Sequence, residues 1–172
     1  NKDQEYRELW NLVFIAFNRN SNGDLEDLPN KHVDTGAGLE RLVATMNNTT
    51  DHYKTDLFKP IIEKIIKISN KSYDFEGGMP HRVIADHLRM VSFSLADGIM
   101  PSSEGRGYVV RRILRRAIRY GRVLDIKDNF LFNLVDDLIM ILADSYPELE
   151  EKKTHIKKVI RSEEITFGNT LD

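Results

Sequence analysis

The sequence predicts an α+β fold that is predominantly helical by residue count. Two observations place the β structure near the start: an apolar run, and a strand that leads through glycines into a helix. A third observation, apolar residues at three- and four-residue spacings, predicts helices from residue 54 onwards. We therefore expect a β-containing piece over residues 1–46 and a helical piece over residues 47–172.

The first strand is predicted at Leu12–Phe17, a short, partly β-branched apolar run of the kind that is buried on both faces. Asn18–Asp24 contains Asn-Gly and predicts a hairpin turn. A weak strand near Leu25–Leu28 should follow this turn, and Pro29 should end it.

The next segment combines a short strand, a glycine turn and a helix. The strand is expected at His32–Thr35, the turn at Gly36-Ala37-Gly38 and the helix at Leu39–Met46. Two glycines two residues apart let a ligand approach bare backbone, and the helix start offers unpaired N–H groups. Asp34 could bind a cation or an amine there, and Arg41 lies about one turn inside the helix.

The alternative for this segment is a tight strand-to-helix turn, with Glu40 and Arg41 as solvated helix charges. The pattern lacks the third glycine and the downstream acid of a dinucleotide fingerprint. It also lacks the Lys-Ser/Thr of a P-loop. Taken alone, the glycine segment therefore does not identify a ligand.

Five helices are predicted in the remainder of the chain. They are expected at Lys54–Ile68, His81–Ala96, Glu104–Tyr120, Phe130–Ser145 and Glu148–Phe167. Gly98 and Pro101 should end the second of them, and Gly121 the third. Pro147 should separate the last two.

The third of these helices is strongly basic, although the formal net charge of the chain is only -2. From Gly105 to Leu124 there are seven arginines and no acidic residue. Helical periodicity places most of the arginines on one face and the apolar residues on the other. Like charges at i,i+4 repel each other, so a polyanion partner would account for the pattern. Arginine also suits bidentate contact with phosphate.

The alternative for this basic face is an internal match to the acidic helix that carries Asp136, Asp137 and Asp144. In that case the chain could be a structural helical protein whose arginines pair internally or with an acidic partner. Neither alternative is decided by the sequence pattern alone.

Composition excludes several other classes of function. There are no cysteines, which removes disulfides, thiolate catalysis and cysteine-bound zinc. His81 and His87 lie six residues apart, which is not the spacing of a same-face ligand pair, and no metal site is predicted. His87 lies at the edge of an apolar stripe and is expected to be a hydrogen-bonded core residue. No apolar run is long enough to cross a membrane, and the charged N-terminal segment is not a secretory signal. A cytoplasmic location is expected, and the missing initiator Met suggests a segment of a longer chain.

Four blocks together resemble the alanyl-tRNA synthetase family, which belongs to class II. Val33–Leu42 (VDTGAGLERL) looks like motif 3 of that family, and Glu8–Phe14 (ELWNLVF) looks like the strand that floors the alanine pocket. Arg82–Arg89 (RVIADHLR) and Ala96–Arg119 (ADGIMPSSEGRGYVVRRILRRAIR) are similar to the tRNA-recognition domain. The resemblance implies the end of a class II catalytic domain over residues 1–46 and a helical acceptor-stem domain over residues 47–172.

The resemblance also implies roles in ATP-dependent activation of L-alanine and its transfer to tRNA-Ala. The residues implied for binding alanine are Asn11, Val13, Asp34 and Gly36, with Asp34 on the ammonium group. Those implied for ATP are Gly36, Gly38 and Arg41, with Asp34 and Arg41 as the catalytic pair. Those implied for the tRNA acceptor stem are Ser103, Arg106, Arg111, Arg112, Arg115, Arg116 and Arg119.

Two departures from the family pattern shape these expectations. Class II motifs 1 and 2 have no counterpart here, so the isolated chain is expected to be inactive without the remainder of the parent chain. Mg2+ would accompany ATP in the parent enzyme, and zinc is expected only in the absent editing domain.

Ser103 also stands where the family usually has an asparagine that helps to read the acceptor-stem G·U pair. A non-enzymatic helical RNA-binding module of the same family is the alternative.

Overall fold

A computed structural model describes residues 6–171 of the chain. The described residues divide into two compact units, one that ends at His52 and one that begins at Tyr53. Two strands lie in the first unit, and most of the helical residues lie in the second. The predicted α+β class, predominantly helical, is confirmed.

The first unit is a β-hairpin followed by one helix. Strands β1 (Trp10–Arg19) and β2 (Leu25–Ala37) pair antiparallel, and helix α1 covers Leu39–Met46. The Asn20 Oδ1 atom accepts hydrogen bonds from the backbone N–H groups of Asn22 and Asp24, both at 3.0 Å. This side-chain acceptor stabilises the predicted hairpin turn.

The second strand is continuous, so the expectation that Pro29 ends it is wrong. Ile15 pairs with His32, but Phe17 pairs with Asp27, so β2 has extra residues opposite Ala16. Pro29 lies in this bulge, where the missing N–H of proline costs no ladder hydrogen bond.

The prediction that Leu12–Phe17 is buried on both faces is also wrong for the part of the chain that the structure describes. Leu12 remains 59% exposed and Phe14 74% exposed. The reason is that the sheet of this unit has only two strands, and no second layer covers either of its faces. The apolar pattern therefore indicates burial that this hairpin does not provide by itself.

The second unit is built from six helices. They are α2 (Lys59–Ser69), α3 (Met79–Ala96), α4 (Gly105–Val123), α5 (Leu134–Leu142), α6 (Pro147–Glu151) and α7 (Lys153–Leu171). Helix α2 begins later than predicted, with Pro60 in its first turn, where proline is well tolerated. The predicted last helix is divided between α6 and α7, and Pro147 begins α6.

The expectation that Gly121 ends the basic helix is wrong, because α4 continues to Val123. A Cβ atom at Gly121 would lie 2.3 Å from Cε1 of Phe130, closer than any real contact. This glycine therefore allows the ring of Phe130 to pack against the helix. The chain turns away only at Asp125, which has a φ of 61°.

The helical unit has its own apolar core, to which every one of its six helices contributes. Fully buried side chains include Ile61, Ile65, Ile84, Leu88, Leu114, Leu134, Leu138, Leu149, Ile156 and Ile160. The inward face of α4 includes Val110, Leu114 and Ala117. Burial of this face fixes the rotation of α4, and its arginines must point the other way.

A buried carboxylate joins α7 to the segment before α5. Glu164 is 1% exposed and accepts backbone N–H bonds from Phe130 at 3.0 Å, Leu131 at 2.8 Å and Phe132 at 3.1 Å. Burial raises the pKa of Glu164 above its ordinary value of 4.5, and the three backbone donors offset only part of this effect.

This pKa gives a prediction for the pH dependence of folding. A carboxyl group with a raised pKa in the folded chain stabilises the fold most below pH 4.5, and this contribution is lost as pH rises through the folded pKa. The free energy of unfolding of the chain, relative to that of Glu164→Gln, should therefore fall as pH rises above about 4.5. Urea unfolding of both proteins at several pH values measures this difference.

The control is Glu151→Gln on α6, which removes an exposed carboxylate. Its stability relative to the unchanged chain should vary little over the same range. A difference for Glu164→Gln that instead grows with pH would contradict the raised pKa.

Candidate functional site

The first candidate site is on the hairpin, where four of the predicted residues share one face. Asn11 pairs with Gly36, and Val13 pairs with Asp34. Positions two apart on a strand point to the same side, so the two cross-strand pairs lie next to each other on one face. The structure thus brings together all four residues that the resemblance implied for alanine binding.

Asp34 is exposed on this face and is held by its own strand. Its Oδ1 atom accepts a hydrogen bond from the backbone N–H of Thr35 at 2.8 Å. A carboxylate has further acceptor capacity after one such bond. Asp34 can therefore also bind a cationic group.

The two glycines provide space rather than an unusual backbone conformation. A Cβ at Gly36 would lie 3.5 Å from Oδ1 of Asn11, and one at Gly38 would lie 3.1 Å from Cδ of Arg41. Gly38 has a φ of -80° and precedes the first turn of α1. Its N–H donates to the carbonyl of Leu9 at 3.0 Å. The glycine segment thus joins β2 to α1 with bare backbone exposed next to Arg41.

Arg41 connects α1 to the segment before β1. Its Nη1 donates to the carbonyl oxygen of Glu8 at 2.8 Å. An arginine has five N–H donors, so this bond leaves others for an anion. Arg41 lies beside the glycine segment, as the sequence pattern predicted.

A second arginine contact in this unit was not predicted. Arg7 contacts Nε2 of His52 through Nη1 at 2.9 Å, and its Nη2 donates to the carbonyl of Thr50 at 3.0 Å. Burial and the charge of Arg7 lower the pKa of His52. No sequence signal could have found this contact, because its partners lie far apart in the chain and outside any shared motif.

The second candidate site is the arginine face of α4. Four of its arginines are exposed and have no carboxylate partner among the residues that the structure describes: Arg106, Arg112, Arg116 and Arg119. Three of them line a groove of about 570 Å³ between α4 and the end of α7. The groove is lined by Tyr108, Val109, Arg112, Ile113, Arg115, Arg116, Arg119 and Phe167. It therefore combines guanidinium groups with aromatic and aliphatic side chains.

The other two predicted arginines of this face pair within the unit. Arg111 and Arg115 donate through Nε to Oε1 of Glu163, at 3.3 Å and 2.5 Å. Internal pairing was the alternative to a polyanion partner, and it occurs for these two residues. The prediction that the internal partner is the acidic helix with Asp136, Asp137 and Asp144 was wrong.

The predicted acidic partner is already engaged elsewhere. Asp136 of α5 pairs with Lys157 at 2.5 Å and Lys153 at 3.3 Å, both on α7. Burial acts to raise the pKa of Asp136, but the two lysines outweigh it, and the net shift is downward. Asp136 therefore joins α5 to α7 and does not neutralise the arginine face.

Ser103 lies in an exposed bend just before α4. The bend is fixed by Ser102, whose N–H donates to the carbonyl of Gly107 at 3.1 Å and whose Oγ donates to the carbonyl of Glu104 at 2.7 Å. A Cβ at Gly107 would lie 2.2 Å from the carbonyl of Met100. Close packing at Gly107 thus holds Ser103 beside the first turn of the basic helix.

The histidines and acids do not assemble a metal site in the part of the chain that the structure describes. His81 is buried and contacts the carbonyl of Lys71 through Nε2 at 3.2 Å, and burial lowers its pKa. Among residues 6–171, no group of three or more histidine and acidic side chains could hold a metal ion. None of the described helices is long and apolar enough to cross a membrane.

Comparison with known proteins shows the family of the chain. The family described as tRNA synthetases class II (A) matches the chain over residues 1–172. The alanine–tRNA ligase of Fervidobacterium nodosum is 49% identical over 99% of the chain, and that of Streptococcus pyogenes serotype M3 is 46% identical over 99%. The chain spans 20% of the length of each of these relatives. The chain therefore belongs to the class II (A) family of tRNA synthetases and is similar to a segment of alanine–tRNA ligases.

Proposed function

We propose that this chain is part of an alanine–tRNA ligase, in which it supplies part of the alanine and ATP site and the surface for the tRNA acceptor stem. Identity of 46–49% to alanine–tRNA ligases over 99% of the chain carries this proposal. The common hairpin face of Asn11, Val13, Asp34 and Gly36 supports the first role. The exposed arginines of α4 support the second.

In the proposed reaction, a carboxylate oxygen of alanine attacks the α-phosphorus of ATP. The bond to the bridging oxygen breaks, and pyrophosphate leaves with the electron pair. A ribose hydroxyl of the tRNA then attacks the alanyl carbonyl, and AMP leaves. Reactions of this kind depend largely on positioning and charge neutralisation.

The hairpin residues would hold alanine in this reaction. The exposed carboxylate of Asp34 would pair with the substrate ammonium group, while Asn11 and Val13 would line a small pocket. Arg41 would contact ATP, which Gly36 and Gly38 allow to lie close to the backbone. Mg2+ would enter with ATP, and no residue of this chain is assigned to it.

Substitution of Asp34 tests the alanine site in the complete ligase. Asp34→Asn keeps the shape of the side chain but removes the charge that faces the ammonium group. We expect the KM for alanine to rise by a factor that corresponds to roughly 2–4 kcal/mol, with little change in the KM for ATP. Alanine-dependent ATP–pyrophosphate exchange measures both constants.

The matched control is Asp27→Asn, which changes an exposed aspartate on the same strand opposite Phe17. It should leave the KM for alanine unchanged. If Asp34→Asn behaves like this control, then Asp34 is only a strand residue.

Arginine substitutions test the RNA surface. Arg112→Ala and Arg119→Ala should each weaken binding to a hairpin RNA that carries the tRNA-Ala acceptor stem. Phosphate contacts carry little sequence information, so stems with G·U and G·C pairs should be affected about equally. Each variant should also lower the slope of log affinity against log salt by about one unit or less. Fluorescence anisotropy titrations at several salt concentrations measure both effects.

The control for charge is Arg19→Ala, which removes an exposed arginine of the hairpin. Ser103→Ala provides the opposite pattern, because its hydroxyl is proposed to contact the G·U pair. It should alter discrimination between the two stems by roughly 0.5–1.5 kcal/mol and leave the salt slope unchanged. Equal losses from Arg19→Ala and Arg112→Ala would show that α4 has no special part in binding.

A further inference from the structure

One carboxylate of α7 holds two arginines of α4 together. The Glu163 side chain is only 15% exposed, and its Oε1 atom accepts from Nε of both Arg111 and Arg115. These two arginines are one helical turn apart and would otherwise repel each other. Glu163 therefore sets the separation of two neighbouring guanidinium groups.

The atoms used in these contacts leave the outer ends of both side chains available. Glu163 accepts from Nε in each case, so the contact does not use the four N–H donors on the two Nη atoms of either arginine. Such donors form the fork that binds phosphate oxygens in pairs.

An aromatic ring makes a second contact with one of the two guanidinium groups. The guanidinium carbon of Arg115 lies 4.8 Å from the centre of the Phe167 ring. Phe167 also lines the groove that contains Arg112 and Arg119. Arg115 is thus held at its edge by a carboxylate and on its face by a ring, next to exposed arginines.

We propose that Glu163 is a positioning residue for RNA binding, which holds the guanidinium groups of Arg111 and Arg115 ready for phosphates of the RNA backbone. This inference rests on the proposed RNA surface of α4. Ordering a long side chain during binding costs free energy, so side chains that are already ordered bind more tightly. Phe167 contributes to the same effect at Arg115.

The direction of the change in RNA affinity distinguishes a positioning role of Glu163 from a simple effect of its charge. Loss of Glu163 removes one negative charge beside a basic surface, which alone should tighten binding to RNA and steepen its salt dependence. Loss of positioning should weaken binding. Glu163→Gln and Glu163→Ala carry the same charge, but only Gln keeps an oxygen that can accept from Nε.

The experiment titrates the 172-residue chain and its variants with the acceptor-stem hairpin RNA at several salt concentrations. We expect Glu163→Ala to weaken binding by about 5-fold or more, and Glu163→Gln to weaken it less. Asp136→Asn is the control, because it removes a carboxylate that pairs with α7 away from the arginine face. It should bind as tightly as the unchanged chain or slightly more tightly.

Phe167→Leu supplies an independent arm, because it removes the ring beneath Arg115 without a change in charge. It should weaken binding while thermal unfolding shows a folded chain. Equal or tighter binding by both Glu163 variants would overturn the proposal. If the unchanged chain shows no salt-dependent binding to the hairpin, the proposed RNA surface itself fails. If Arg112→Ala weakens binding but Glu163→Ala does not, only the positioning role fails.

Discussion

Repulsion among the arginines of α4 is the constraint on which the helical unit depends. The apolar face of this helix is buried in the core, so its rotation is fixed and the arginines must share the opposite face. Glu163 supplies a carboxylate to that face, and it neutralises part of the charge of Arg111 and Arg115. The charge that remains on the exposed arginines gives this face a positive potential, which favours anions.

Glu164, the residue next to Glu163 on α7, has a different structural role. Glu163 accepts hydrogen bonds from side chains of α4. Glu164 is buried and accepts hydrogen bonds from consecutive backbone N–H groups, the first of which is that of Phe130. The ring of Phe130 in turn packs against Gly121 of α4. Two consecutive glutamates thus fix α7 to α4 directly and through the segment before α5. A surface built on such a supported helix can keep its charged groups in a defined arrangement.

The sequence predicted the parts of the structure that depend on local pattern. Helix α1 has the predicted bounds at both ends, because a glycine segment precedes it and its apolar spacing ends at Met46. The common face of Asp34 and Asn11 follows from strand periodicity once the hairpin turn is placed. Gly121 was misread because its role is set by a ring nine residues away in the chain. Glu163 was missed because charge pairing between helices has no sequence period.

The hairpin shows a different limit of local pattern. Its apolar run predicted burial, yet Phe14 remains exposed in a sheet of two strands. Apolar alternation indicates which side chains should be covered, but it does not state which part of a protein covers them. The site residues on this hairpin are therefore arranged by local pairing, whereas a closed pocket around them requires structure outside this unit.

The most direct measurement is NMR of the arginine Nε–H groups of the chain without RNA. Hydrogen bonds to a carboxylate slow exchange of a proton with water. We expect slow exchange for Arg111 and Arg115, and fast exchange for Arg112, Arg116 and Arg119. In Glu163→Ala, the first two signals should exchange as fast as the others. Equally fast exchange of all five in the unchanged chain would contradict the claim that one carboxylate organises the basic face.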